Sequence, residues 1–211
     1  MAHIPDGVLS APVLISGAIA STGLIAIALR RLDYERIPQA AMLSSAFFVS
    51  SLISVPVGPS SVHLLLNGLM GMVLGWAAVP AILVALLLQA VFFGYGGLLV
   101  LGVNTLNMAL PALFCAVFFG ARRMQDRKSH AFKLGALAGA FGVVLTGLMV
   151  CLSLALSRQD FLPAAKIILI TYLPLAVVES AVTGAIISFV FRVAPELLQT
   201  RIDTASESPH G

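Results

Sequence analysis

The sequence predicts an all-α integral membrane protein of about seven transmembrane helices, with its N-terminus outside and its C-terminus in the cytoplasm. Three observations lead there. Of 211 residues, 59% are apolar and 10% charged, against roughly 45–50% and about 25% in soluble domains. Apolar runs of the roughly 17–25 residues that a hydrocarbon core of about 30 Å demands recur along the whole chain. The arginines and lysines gather in alternate loops, the bias that marks the cytoplasmic side.

The first apolar run spans Ala11 to Leu29 and the second Pro38 to Val55. The stretch from Val62 to Phe93 is too long for one ordinary span. Gly75, Trp76 and Pro80 interrupt it, so it divides into two short helices near residues 62–75 and 77–93. Between Gly94 and Asn104 lie four glycines, which favour irregular backbone or close helix contact over a free helix. A fifth helix is expected from Asn104 to Phe119, a sixth from Phe132 to Leu156 and a seventh from Ala164 to Phe191. Residues 1–195 then form a single membrane domain, and residues 196–211 read as a polar, disordered cytoplasmic tail.

Seven crossings put Arg30, Arg31 and Arg36, the cluster Arg122, Arg123, Arg127, Lys128 and Lys133, and Arg192 with Arg201 on one side. That side is the cytoplasm. The opposite loops, near residues 56–61, 94–103 and 157–163, carry Arg158 as their basic residue. The net charge of +3 therefore reports orientation in a bilayer and not a nucleic-acid partner. The first ten residues contain no Lys or Arg, so no signal peptide is expected. Cys115 and Cys151 lie inside apolar runs without CxxC spacing and read as helix-packing residues.

This topology brings three uncommon features to the outer face: an N-terminal peptide with His3 and Asp6, the loop leading into His63, and the Gly-rich stretch ending in Asn104. A histidine near a terminus or a helix start is most often a tail or packing residue. The shared face is what sets these two apart, since histidine is also the commonest metal ligand. If Met1 is removed from in front of small Ala2, the free amine of Ala2, the His3 amide nitrogen and the His3 imidazole close two fused chelate rings on one ion. His63 then completes a planar set of four nitrogens, which suits Ni(II) or Cu(II) and can suit Co(II). If Met1 stays, Met1-Ala2-His3 offers four nitrogens without His63.

Asp6 is placed to cap the first helix or to orient His3, and Asn67 and Asn104 to hold the N-terminal peptide or simply to bond neighbouring helices. Glu179, well inside the seventh helix, must be neutral, paired or facing a polar cavity. The small residues Ala136, Gly139 and Ala140 suit close helix packing, within the chain or against a partner. No GxxxxGK[ST] run is present, so the chain has no phosphate cradle with which to use ATP. No nucleophile paired with a base stands on the outer face, which argues against an enzyme. A self-sufficient secondary carrier or channel is the alternative; it calls for paired charges along a midplane path, of which Glu179 is nearly the whole supply.

Four segments resemble a known family: HIPDG at His3–Gly7, SSVHLLLNGLMGMVLG at Ser60–Gly75, LLLQAVFFGYGGLLVLGVNTLNMALPA at Leu86–Ala112 and ESAVTG at Glu179–Gly184. The chain is similar over about residues 1–195 to the CbiM/NikM group, the substrate-binding components of energy-coupling factor (ECF) transporters for cobalt and nickel. The resemblance implies Ni2+ or Co2+ as transported substrate, with no separate cofactor. It implies a metal held by the terminal amine, the backbone and side chain of the next residue, and the histidine of the SVHL motif, which map onto Ala2, His3 and His63. It also implies that the Gly-rich loop closes over the site. Partners would be a membrane coupling subunit, paired ATP-binding subunits and a small accessory membrane subunit, in a bacterial cytoplasmic membrane. Two departures stand out. Most relatives begin Met-His, whereas here Ala2 intervenes, and Tyr95 stands where the loop motif commonly has a histidine.

Overall fold

The computed structural model describes residues 3–53, 55–57, 60–120, 130–157 and 162–198. Ala2, the basic loop at 121–129, Arg158 and the tail from residue 199 lie outside the described residues. Helix α1, Ala11–Arg30, starts after extended Ser10 with a proline in its first turn, where a missing N–H costs nothing. Asp33 then accepts a hydrogen bond from the Glu35 amide and caps a short 3₁₀ turn, Tyr34–Arg36, that leads into α2, Ile37–Ser50. An antiparallel hairpin follows, β1 Val55–Val57 with β2 Ser60–Val62. Beyond it come α3, Asn67–Leu74, α4, Ala78–Phe93, and α5, Leu101–Phe119. The last two helices are long: α6, Ala131–Ser157, and α7, Leu162–Val193.

Among the described residues, five helical stretches are long and apolar enough to cross a membrane: Ala11–Arg30, Asn67–Phe93, Leu101–Phe119, Ala131–Ser157 and Ile167–Val193. The chain is a multi-pass membrane protein, and the exposed Ile15, Ile19, Val117 and Val177 side chains face the bilayer that takes the place of water. Helix α2, at 14 residues, is about 21 Å long.

The stretch from Asn67 to Phe93 breaks where glycine and tryptophan announced it. Gly75 adopts φ +56° and ψ −123°, and a 3₁₀ turn, Gly75–Ala77, separates α3 from α4. Both ends of the stretch return to one pole of the molecule, because His63 lies against His3 and a side chain on Gly96 would meet the His3 Cβ at 3.4 Å. The break lies at the other pole, where the Arg31 guanidinium sits 4.4 Å above the Trp76 ring. Helix α1, with its 20 residues, sets the distance between poles at about 30 Å. The non-helical residues 63–66 lead from the first pole into α3, whose eight residues cover about 12 Å of it, and the 3₁₀ turn covers about 6 Å.

Here the sequence-based boundaries need correction. Residues 62–66 are not helical and α2 stops at Ser50, since Val55 and Val62 pair across the hairpin. Non-helical backbone so deep in a bundle must find internal partners. Glu179 of α7 supplies them: its Oε1 accepts the amide hydrogens of Leu65 and, at 2.9 Å, Leu66. The fully buried Glu179 is thus paired with backbone, one of the outcomes its position allowed.

Every residue of α3 is buried, and glycines bring its neighbours close. A Cβ on Gly71 would fall on the Ala112 carbonyl oxygen of α5, and one on Gly68 on the Ala138 carbonyl oxygen of α6. Gly139 rests on the Glu179 carbonyl and Thr183, and Ala136 on Gly184, so these small residues of α6 pack against α7 within the chain. Cys115, buried, donates to the Ala138 carbonyl at 3.3 Å. The stretch assigned to the tail from residue 196 opens instead with a packed turn, Pro195–Leu198. Arg36 and Gln39 donate to the Leu197 carbonyl there, at 3.0 and 2.8 Å.

Candidate metal site

The N-terminal peptide is held at one pole by its apolar residues. Ile4 and Leu9 are buried among Val100 and Val103 of the α5 entry and Val150 and Leu154 of α6, a burial of the kind that contributes about 1.5–3 kcal/mol per side chain. Asn104, in the first turn of α5, fixes the register: its Oδ1 accepts from the Ile4 amide at 3.2 Å and its Nδ2 donates to the Ile4 carbonyl at 3.0 Å. The Gly-rich loop closes the other side. Gly96 (φ +77°) accepts from the Asp6 amide at 3.1 Å, and a Cβ on Gly97 (φ +150°) would fall on the Asp6 carboxylate. Backbone in that region, against so close a neighbour, leaves room for glycine alone.

This docking sets His3 against His63, with ring centroids 5.3 Å apart and planes at 32°. His63 Nδ1 is 3.0 Å from the Leu64 carbonyl oxygen. That oxygen can only accept, so Nδ1 carries the proton and Nε2 the lone pair. Both ring nitrogens of His3 and Nε2 of His63 are buried without a hydrogen-bond partner. Leaving such groups unpaired costs about 1–3 kcal/mol each, which makes the cluster a place prepared for something that binds nitrogen.

Burial first, then the neighbouring His63, pushes the His3 imidazole down to about 3. The His3 ring is therefore neutral at neutral pH, the form that ligates a metal. Among the described residues no cluster of three or more His, Cys, Asp or Glu side chains gathers. Among the described residues, the side chains gathered at this pole thus include two imidazoles.

The other expected residues divide. Asn104 holds the peptide. Asp6 caps neither α1 nor His3; its Oδ1 accepts at 3.0 Å from Val100, just before α5, where helix-end amides lack intrahelical partners. Asn67 does not reach the peptide. It bonds the bundle, donating to Thr146 Oγ1 at 2.7 Å and accepting from the Gly68 amide at 2.9 Å. The Tyr95 ring rests 5.8 Å from that of Phe93. Gln89 was missed. It is fully buried beside His3, near enough to oppose part of the fall in the His3 pKa, yet neither end of its amide meets hydrogen-bond geometry. Its signal was visible as the single polar side chain in α4, AVPAILVALLLQAVFF.

Fold and site define a multi-pass helical membrane protein with a buried pair of open imidazoles at one pole. Comparisons with known proteins give that class a family. Residues 3–197 match the family model for CbiM, "Cobalt uptake substrate-specific transmembrane region". A protein of Haemophilus influenzae named for metal transport is 39% identical over 93% of this chain and 96% of its own length. The fused nickel transport protein NikMN of Rhodobacter capsulatus is 32% identical over 99% of this chain and 67% of its own. A crystal structure of a transition metal transporter superposes with a TM-score of 0.80 at 26% identity, covering 99% of this chain and all of that one. The chain belongs to the CbiM family of cobalt and nickel transport components.

Proposed function

We propose that the chain is the substrate-capture component of an ECF-type importer for Ni2+ or Co2+, binding the ion at its outer pole. The observation that carries this is the facing pair His3 and His63 with three unpartnered nitrogens. The donor set consists of His3 Nδ1 and its own amide nitrogen, His63 Nε2, and the amine of an N-terminus that begins at Ala2 once Met1 is removed. Four nitrogens in a plane favour Ni(II) by geometry. The rings closed from the His3 amide require Nδ1, because Nε2 is too far from that amide to close a ring of favourable size.

Seven passes are proposed, counting residues 63–74 and α4 as separate ones, with the metal pole outside and the pole of Arg31, Arg36 and Trp76 inside. Residues 1–195 act as one membrane domain. With no ATP-binding motif, the chain draws its energy from partners: a membrane coupling subunit, paired ATP-binding subunits and a small accessory membrane subunit. The name of the fused Rhodobacter relative supports work alongside further transport components.

The test is metal content and affinity of the purified chain beside His3→Ala and His63→Ala, with intact mass to establish whether Met1 is present. Stoichiometric nickel or cobalt, lost with His3 and weakened or lost with His63, is expected. Retention by both variants sinks the shared site, and metal uptake by the chain alone in liposomes moves the assignment to a self-sufficient carrier.

A further inference from the structure

Of the eight buried side-chain nitrogen and oxygen atoms left without a partner among the described residues, five belong to His3, His63 and Gln89. The proposed site assigns two of the three histidine atoms, His3 Nδ1 and His63 Nε2, to the ion, which leaves His3 Nε2. Gln89 needs its own explanation, since an amide with both ends unpaired in an apolar helix is costly. Its main chain is tied to the loop over the site: the Gln89 carbonyl accepts from the Tyr95 amide at 3.3 Å, and the next residue, Gly96, packs against the His3 Cβ.

We propose that Gln89 is the positioning residue of the metal site, its side-chain carbonyl accepting the Nε2–H of His3 so that the ring presents Nδ1 to the ion. This rests on the reading of His3 and His63 as ligands and goes one step past it. Once Nδ1 takes the ion, the proton of the His3 ring must sit on Nε2, which is buried and needs an acceptor. Neighbouring groups are already committed: both ends of the Asn104 amide to Ile4, the Leu64 carbonyl to His63, and the Ile4 carbonyl to Asn104. Gln89 has an open acceptor. A metal-bound histidine regularly donates its second ring N–H to such a partner, which sets the tautomer and strengthens the ligand, and loss of the partner typically costs about 10- to 100-fold in metal affinity.

The logic also fixes the sign of the effect in each state. Without metal the amide is an unpaired burden; with metal it is engaged. Gln89→Met, close in volume and without an acceptor, therefore leaves the metal-free melting temperature unchanged or higher while nickel binds about 10- to 100-fold more weakly, with the same ligand-field spectrum. Gln89→Glu, a stronger acceptor with a negative charge toward the cation, binds nickel at least as tightly as the wild type. In the diamagnetic planar nickel complex, a slowly exchanging His3 Nε2–H resonance is expected in the wild type and lost in Gln89→Met.

A fall in both stability and affinity, or an affinity within a few-fold of wild type in Gln89→Met, overturns the proposal in favour of a packing residue. A shifted ligand-field spectrum overturns it in favour of direct ligation. A wild-type chain that takes up no nickel removes the metal reading itself, a failure distinguishable before any Gln89 variant is compared.

Discussion

Asn67 and Asn104 are both buried near the start of a helix, and they serve opposite regions. Asn67 commits its amide to α5 and α6, through the Met108 and Gly142 carbonyls and Thr146. Around it lies the tight seam in which glycines let α3 touch the backbones of α5 and α6. Asn104 commits its amide to Ile4, a residue of a peptide docked from outside the bundle. Around it lies the pole where His3, His63 and Gln89 hold most of the open polar atoms; the other three, on Asn107, Glu179 and Thr183, are spread over α5 and α7. The difference separates polar groups bonded within the bundle from polar groups left open at the pole.

The comparison can be broken most severely at the seam. Gly71→Val drives a side chain into the Ala112 carbonyl, where neither backbone can withdraw, so folded, monodisperse protein is not expected in detergent. Recovery of wild-type yield would show that α3 and α5 are not in close contact.

Asn104→Ala should act at the pole alone. Loss of its two bonds to Ile4 costs about 1–3 kcal/mol, read as a roughly 5- to 150-fold rise in the nickel Kd, while the metal-free melting temperature changes little. Thr146→Val is the mirror case. Removing the hydroxyl that accepts from Asn67 leaves a buried donor short of its nearest partner and lowers stability by about 1–3 kcal/mol, with nickel affinity unchanged. Coupled losses in either variant would dissolve the distinction between the two regions. Smallest of all is Tyr95→Phe, which keeps the ring contact with Phe93; stability should stay within about 0.5 kcal/mol and metal affinity at wild-type level.

How much was legible follows from what sequence spacing encodes. Depth in the membrane is encoded: charge bias and apolar runs put His3, His63 and the Gly-rich loop at one pole, and there they meet. Direction around the bundle is not. Asn67 stands four residues from His63, but residues 63–66 are not helical, so the helical periodicity that would relate them does not apply. The hairpin at Val55–Val62 is hidden because a short β-branched run next to a long apolar one looks like its continuation. Asp6 went to the wrong helix because capping is judged from chain neighbours, whereas Val100 is 94 positions away. Gln89 was readable as a lone polar residue in an apolar helix, although only the structure places it beside His3.

The most direct measurement is nickel K-edge absorption of the loaded wild-type chain beside His63→Ala. A planar site with nitrogen neighbours and the outer-shell scattering of two imidazoles is expected, falling to one imidazole in the variant. An oxygen-rich six-coordinate spectrum, or one the variant leaves unchanged, would contradict an ion shared between His3 and His63.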